Sequence, residues 1–410
     1  MKESGEKKLH ILQVHNYYQI AGGEDQVVRN EGGLLRKNGH KVFLYSRRNE
    51  EISRMNPFRK CCLPFTTVFS LKTFREVKRL IRRKQIDVVH VHNTLPLVSP
   101  SVFYAAFACH VPVVMTVHNF RLLCPGADFY RDGQICEECL QKGLFRGVKY
   151  GCYRGSRVQT LICALSIKIH RLLGTYGRLY YICLTDFNKE KLLSFRQIPP
   201  RRVFVKPNYA VCGGEIVPAG LRENVFLYAG RLEEEKGVKV LLEAFRILQE
   251  QNAAKAKDGA RLVICGEGSL KKWCTDYVGK HRLTNVSVKG GMPGEVVRKL
   301  MSRAKGVIVP SLWYEGFPMV MAEAFSVRTP VIGSDLGNVG ALITNQVNGI
   351  TFRAGDPAAL ADAVAGFDSH SFSFETGESA MREWNEAENY RKLMKIYERC
   401  MSDVRKAKEK

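Results

Sequence analysis

A chain of 410 residues, 45% hydrophobic and 25% charged, has the composition of a soluble globular protein and a length that predicts two or three domains. No run reaches the roughly eighteen apolar residues that a membrane-spanning helix needs. The formal charge of +23 is lopsided: residues 1–206 carry 35 Lys and Arg against 15 Asp and Glu, the remainder 28 against 25. A basic first half predicts an anionic partner: nucleic acid, anionic lipid or a phosphorylated substrate.

The thirteen cysteines are odd in number, residues 1–8 are charged, and the apolar run at 9–14 is too short for a signal peptide. These features lead us to expect a reducing, cytoplasmic setting with thiols or metal ligands rather than disulfides.

Residues 9–15 read as a first strand and 26–37 as a first helix, with Gly22-Gly23 between them, where backbone can approach a ligand without a Cβ in the way. Residues 41–45 are a second strand. Residues 66–84 read as one helix with an apolar stripe at helical spacing and seven cations, suited to packing on a sheet or to lying on anionic lipid. Phe58, Phe65 and Phe74 are expected to be packing residues rather than stacking platforms for nucleic acid, so nucleic acid is not expected as a partner.

Two buried parallel-type strands, 87–91 and 111–117, flank a helix at 99–108. They end in His92-Asn93 and His118-Asn119, at the strand ends where α/β folds place site residues. Cys124, Cys136, Cys139 and Cys152 then fall within a stretch (119–157) of little periodicity, only one pair having the Cys-x2-Cys spacing. Four thiolates on a structural zinc would fix such a coreless loop; buried thiols are the alternative. A helix at 158–173, a strand at 179–185, an Asp186-capped helix and a strand at 203–206 complete the first domain, 1–206. Residues 207–224 read as a linker.

The βα alternation restarts in a second domain, 225–375. A strand at 225–229 leads to Gly230, Arg231 and Lys236; the next, 261–265, runs into Gly266-Glu267-Gly268, whose glycines would admit a nucleotide base. The strand at 306–309 enters Pro310-Ser311-Leu312-Trp313-Tyr314-Glu315-Gly316-Phe317-Pro318 and an apolar helix carrying Glu323, with Pro318 expected as the first helical residue. Glu315 and Glu323 have seven residues between them. Both can face the crevice beyond a strand's carboxyl end, one carboxylate accepting from a ribose diol. A polar-rich helix, 383–408, lies within the last segment, 376–410.

The stretch from Glu315 to Glu323 resembles the Glu-x7-Glu motif of retaining glycosyltransferases of family 4. With Gly22-Gly23, His118, Arg231 and Lys236 in order, the resemblance covers roughly residues 9–365; it is weakest at 47–64 and in the cysteine loop. It implies an α/β fold of two tandem Rossmann-like domains facing a central cleft, with the last helix crossing back to the first domain. It also implies metal-independent, retaining transfer of a sugar from a nucleotide-diphosphate donor.

By resemblance, Arg231 and Lys236 stabilise the leaving diphosphate and His118 binds the donor sugar. Glu315 and the N–H groups of Gly316 and Phe317 hold sugar hydroxyls, and Glu323 holds the ribose. Gly22 and Gly23 lie near the donor phosphates and the acceptor. The basic first half adds the expectation of an anionic membrane surface and a glycan acceptor on a polyprenyl diphosphate, in surface-polysaccharide assembly. A basic binding protein with an inactive sugar site, and a phosphorylase or epimerase of the same fold, are the alternatives.

Overall fold

The structure, a computed structural model, describes residues 7–19, 22–209, 215–255 (252–255 for backbone only), 259–368, 372, 374 and 384–409. The chain forms two compact units. The first comprises Met1–Ala127, Glu137–Asn208 and Ala387–Lys410; the second comprises Asp128–Cys136 and Tyr209–Glu386. The division falls at Asn208, residues 215–224 belong to the second unit, and residues 376–383 of the expected last segment lie outside the described residues.

The strands of the first half are β1 (His10–Tyr17), β2 (Lys41–Arg48), β3 (Val88–Val91), β4 (Val113–Val117), the two-residue β5 (Tyr130–Arg131) and β6 (Gln134–Ile135), β7 (Tyr180–Cys183) and β8 (Val203–Val205). Those of the second are β9 (Glu223–Ala229), β10 (Arg261–Cys265), β11 (Val286–Gly290), β12 (Ala304–Val309), β13 (Val331–Ser334) and β14 (Gly349–Phe352).

Each unit holds a six-stranded sheet in which every pairing is parallel. The orders are β2-β1-β3-β4-β7-β8 and β11-β10-β9-β12-β13-β14. Strands such as β3, β7 and β13 are buried at every residue, as expected where helices cover both faces. The strand order reverses direction between β1 and β3 in the first unit and between β9 and β12 in the second. Open α/β sheets bind ligands at such switch points, beyond the carboxyl ends of the strands.

In the first unit the core gathers residues of β1, β3, β4 and β7 with Val77, Ile81, Phe103 and Ile167. A second layer lies under the C-terminal helix, Glu386–Lys408, where Leu393, Ile396, Tyr397 and Cys400 pack on Ile11, Val88, Val114 and Ile182. The second unit's core is built on Phe226, Leu242, Phe245, Ile264 and Ile308.

Several local expectations are corrected. Residues 66–84 are not one helix. Helix α1 (Gly23–Lys37) is followed by α2 (Pro57–Val68) and α3 (Leu71–Lys84), the last two separated at Phe69-Ser70, where the Ser70 side chain accepts from the Thr73 N–H. That capping bond starts a new helix inside what reads as one apolar period. The helix Asp186–Leu193 is capped by Thr185, not Asp186. Pro318 is the N-cap of Met319–Ser326 rather than its first residue. Phe58 and Phe65 are not packing residues: they are 76% and 78% exposed, whereas Phe74 does pack on the core.

Candidate active site

In the second unit the switch point is assembled from two loops pressed together at Gly237. Its φ is +73°, and a Cβ there would lie 1.9 Å from the Pro310 carbonyl oxygen, so only glycine fits. The Leu312 N–H donates to the Glu235 carbonyl at 2.9 Å across the same seam. This seam brings Lys236, after β9, to Glu315, after β12. Lys236 Nζ donates to both Glu315 oxygens, at 2.7 and 2.9 Å, and lies 5.0 Å above the Trp313 ring.

The Ser311 hydroxyl donates to Glu315 Oε1 at 2.6 Å. Asn338 Nδ2 donates to the carbonyls of Glu315 and Gly316, fixing the loop from below. Burial works to raise the Glu315 carboxyl, but the Lys236 ammonium and the Ser311 hydroxyl outweigh it and hold the group below the ordinary carboxylate value. Glu315 is therefore an anion at neutral pH. Glu323, half-buried on the helix, is pushed upward by burial, which the cation of Arg298 opposes.

The other expected residues have plainer surroundings. Arg231 is partly exposed and donates to Glu235 at 2.9 Å. A Cβ at Gly266 would meet the Gly230 carbonyl at 1.8 Å, and one at Gly268 the Leu232 carbonyl at 2.4 Å. Packing of the chain on itself thus accounts for both glycines before any nucleotide is considered. The Phe317 side chain is buried, its ring edge-on to Trp384 at 6.0 Å, which leaves its backbone as the group available to a ligand.

In the first unit, no described atom lies within 4 Å of a Cβ placed on Gly22 or Gly23. Nothing in the fold demands glycine there, and the open space suits close approach of a ligand. Asp25 ties the loop down: one oxygen lies 2.7 Å from His15 Nε2 and the other accepts from the Gly22 N–H at 3.1 Å. Glu24 beside it accepts from Asn93 Nδ2 at 3.2 Å; burial and the Asp25 charge raise its carboxyl to about 8, against the pull of Arg121. Glu24 carries no periodic or motif signal apart from following Gly22-Gly23, and the sequence did not single it out.

His118 lies at the end of β4, its Nε2 3.0 Å from His92 Nδ1 and the two rings stacked at 5.3 Å. Burial, with His92 and His15 nearby, lowers His118 well below the usual histidine value, and burial with His90 beside it lowers His92 to about 4. His118 is a neutral ring at physiological pH, able to exchange hydrogen bonds with hydroxyls.

Behind these rings is a cluster that sequence reasoning missed. Glu31 Oε1 lies 2.8 Å from His90 Nδ1 and 3.5 Å from His92 Nε2, and Oε2 lies 3.3 Å from Lys206 Nζ. His90 also meets Tyr397 and Thr116 hydroxyls at 2.7 Å, and Lys206 donates to Asn389 at 3.0 Å, so the C-terminal helix is anchored through the same cluster. Glu31 and His90 with His92, and His15 with Glu24 and Asp25, are groups of metal-type ligands within 4.8 Å of one another. The ion pairs and hydrogen bonds just described occupy them.

In the cysteine-rich insertion, Cys124 is hydrogen-bonded to Cys139, which with burial drives the Cys139 thiol upward, and Cys152 adds to the shift. Cys136 closes the Asp128–Cys136 piece of the second unit.

Two family models match the chain: Glycosyltransferase Family 4 over residues 21–163 and Glycosyl transferases group 1 over residues 215–370. A glycogen synthase of Mycobacterium tuberculosis is 34% identical over 139 residues, 34% of this chain and 32% of that protein. The chain spans about a third of the length of the first curated relatives it matches. The Escherichia coli UDP-Gal:alpha-D-GlcNAc-diphosphoundecaprenol alpha-1,3-galactosyltransferase is 23% identical over 321 residues, 74% of this chain and 72% of that one. Among solved structures, a glycosyltransferase from Rickettsia africae superposes with a TM-score of 0.68 at 16% identity, covering 96% of this chain and 99% of the other, a likeness of fold.

Proposed function

For a chain that belongs to the family 4, group 1 type glycosyltransferases, we propose retaining, metal-independent transfer of a sugar from a nucleotide-diphosphate donor to a glycan acceptor carried on a lipid diphosphate. The observation that carries the proposal is the Lys236–Glu315 pair at the switch point of the second sheet: a cation and an anionic carboxylate fixed side by side where a ligand would sit. The family match and the activity for which the E. coli relative is named support the donor and acceptor classes.

In this proposal the bond from the sugar C1 to the donor phosphate oxygen breaks and the acceptor oxygen bonds to C1 on the same face. The acceptor proton passes to an oxygen of the leaving diphosphate. Charge grows on that diphosphate, and Lys236 and Arg231 stabilise it. Lys236 shares its ammonium between Glu315 and the phosphate, so the carboxylate also holds the cation in place. Glu315 and the Gly316 and Phe317 N–H groups hold sugar hydroxyls, Glu323 the ribose, and neutral His118 the sugar. Gly22 and Gly23 leave room for phosphate or acceptor.

The test is nuclear magnetic resonance of the product formed with a lipid-linked diphosphate sugar acceptor. Retention of the donor's anomeric configuration is expected, and inversion would reject the mechanism.

We also propose a structural zinc on Cys124, Cys136, Cys139 and Cys152, supported by the hydrogen bond between Cys124 and Cys139 and by the influence of Cys152 on the Cys139 thiol. Zinc would bind these groups as thiolates and cross-link the segment. Elemental analysis of protein purified without added metal should give about one zinc per chain. A metal-free protein whose melting is indifferent to a chelator and to added zinc would remove the proposal.

A further inference from the structure

The exposed apolar side chains of the first unit are not scattered. On the Arg157–Leu172 helix, Val158, Leu161, Leu165, Ile169 and Leu172 are all exposed, the first 68% and the last 75%. Their spacing is that of one helical face about 21 Å long, at 1.5 Å per residue. The opposite face, with Thr160, Cys163, Ala164, Ile167 and His170, is buried. This helix is apolar on two sides and has protein on one.

Helix α2 packs against it, and the His170 ring bonds to the Val68 carbonyl at 2.9 Å where α2 ends. Among the residues of α2, only Thr67 is buried. Phe58 and Phe65, seven residues and therefore two turns apart, share one face and stand out into solvent, and Phe69 and Leu71 continue the exposed apolar surface towards α3. Exposed apolar residues gathered on two helices that pack against each other mark an interaction site.

Charge identifies the partner. Residues 53–84 contain ten Lys and Arg and one carboxylate, Glu76; residues 145–178 contain seven Lys and Arg and none. Helix α3 turns its apolar residues Val77 and Ile81 into the core and leaves Arg79, Arg82 and Arg83 outside. Apart from Leu71 at its start, its outward contribution is cationic, and its apolar stripe packs on the core.

We infer that α2 and the Arg157–Leu172 helix form a membrane-inserting face, Phe58, Phe65, Leu165 and Leu172 entering the acyl boundary of an anionic bilayer while the surrounding cations, α3 included, engage its headgroups. Amphipathic helices lying in the interface bind through this combination of buried apolar area and attraction to anionic lipid. The inference rests on the proposed lipid-linked acceptor for its purpose, and the surface stands on its own geometry. A protein partner would have to be strongly acidic around an apolar centre, whereas an anionic bilayer supplies both features everywhere.

The test is flotation of the full chain with vesicles of phosphatidylcholine alone or mixed equally with phosphatidylglycerol, at about 0.1 M and about 0.5 M salt, where the screening length falls from about 10 Å towards 3 Å. Wild type should float with anionic vesicles at low salt, retain part of that binding at high salt, and leave neutral vesicles mostly unbound.

Phe65→Ser with Leu165→Ser and Leu172→Ser should lose the salt-resistant part and at least tenfold in overall binding. Arg79→Glu with Arg83→Glu should lose the salt-sensitive part. Both variants should melt as wild type does and retain transfer to a water-soluble acceptor analogue.

Wild-type protein that fails to float would overturn the inference, as would a serine variant that floats unchanged. A wild-type dimer that the serine substitutions dissociate, with no vesicle binding, would assign the face to a second copy of the chain instead. Vesicle binding without transfer to a lipid-linked acceptor would reject the acceptor and leave the membrane face standing. Transfer in detergent without vesicle binding would do the reverse.

Discussion

Lys236→Ala and Arg231→Ala are expected to lower kcat by about 10²–10³, the loss typical of removing one donor aimed at charge that develops in the transition state. The two should differ in a way the geometry dictates. Lys236 is held by both oxygens of a buried carboxylate, whereas Arg231 is partly exposed with a single i,i+4 partner. Lys236 is pre-positioned, so its loss should show at every donor concentration. Arg231 must leave Glu235 to act, so its loss should also raise KM for the donor.

Glu315→Ala should lower kcat and raise KM together, because it removes a contact to the reacting sugar and frees Lys236 to move. Glu323→Ala removes a ribose contact made equally before and during reaction and should act mainly on KM. Steady-state kinetics of the four variants, with circular dichroism to establish folding, is the check. Wild-type kinetics in folded Lys236→Ala would reject the site.

Glu31→Ala should destabilise the first unit by about 3–5 kcal/mol, the cost of removing one partner from a buried ion pair. It leaves Lys206 and His90, both almost fully buried, without their carboxylate, and weakens the hold on the C-terminal helix through Asn389 and Tyr397. The pH dependence follows from the same cluster. His92 is lowered to about 4 and His118 falls in the same direction, so the unfolded chain takes up their protons first; stability is full above about pH 6.5 and declines as pH falls towards 4.

Burial would raise Glu31, but His90 and Lys206 overcome it and hold the carboxyl well below its usual value, so its contribution is present above about pH 4.5 and is lost as pH falls further. Glu31→Gln should therefore lose the Glu31 contribution below about pH 4.5 and, because Glu31 raises His92, carry the histidine decline to lower pH. Urea unfolding across pH measures both. Superimposable profiles would show that Glu31 is not the anion described.

The parallel sheets were legible because buried strands such as 88–91 and 331–334 are short, mostly apolar runs, and the loops at Glu315 and Arg231 because each follows an apolar strand. The partners that set their chemistry were not. Ser311 and Asn338 reach Glu315 from positions four and twenty-three residues away, with no local periodicity to mark them. Glu31 sits in a helix whose buried residues are mostly apolar packing, and its partners come from β3, the residue after it and the end of β8. The break at Ser70 and the exposed face of the Arg157–Leu172 helix escaped for a related reason: hydrophobic period shows that a residue is apolar, and only tertiary packing decides which apolar face is covered.

The binding of a nucleotide-sugar donor is tested most directly by the melting temperature of wild type and Lys236→Ala in the presence of UDP-, GDP- and ADP-sugars. At about a hundred times the dissociation constant a bound ligand stabilises by about 2.7 kcal/mol. One base class should raise the wild-type midpoint, and the rise should shrink in Lys236→Ala at the same concentration. Indifference of the wild-type midpoint to every donor would contradict the proposed function.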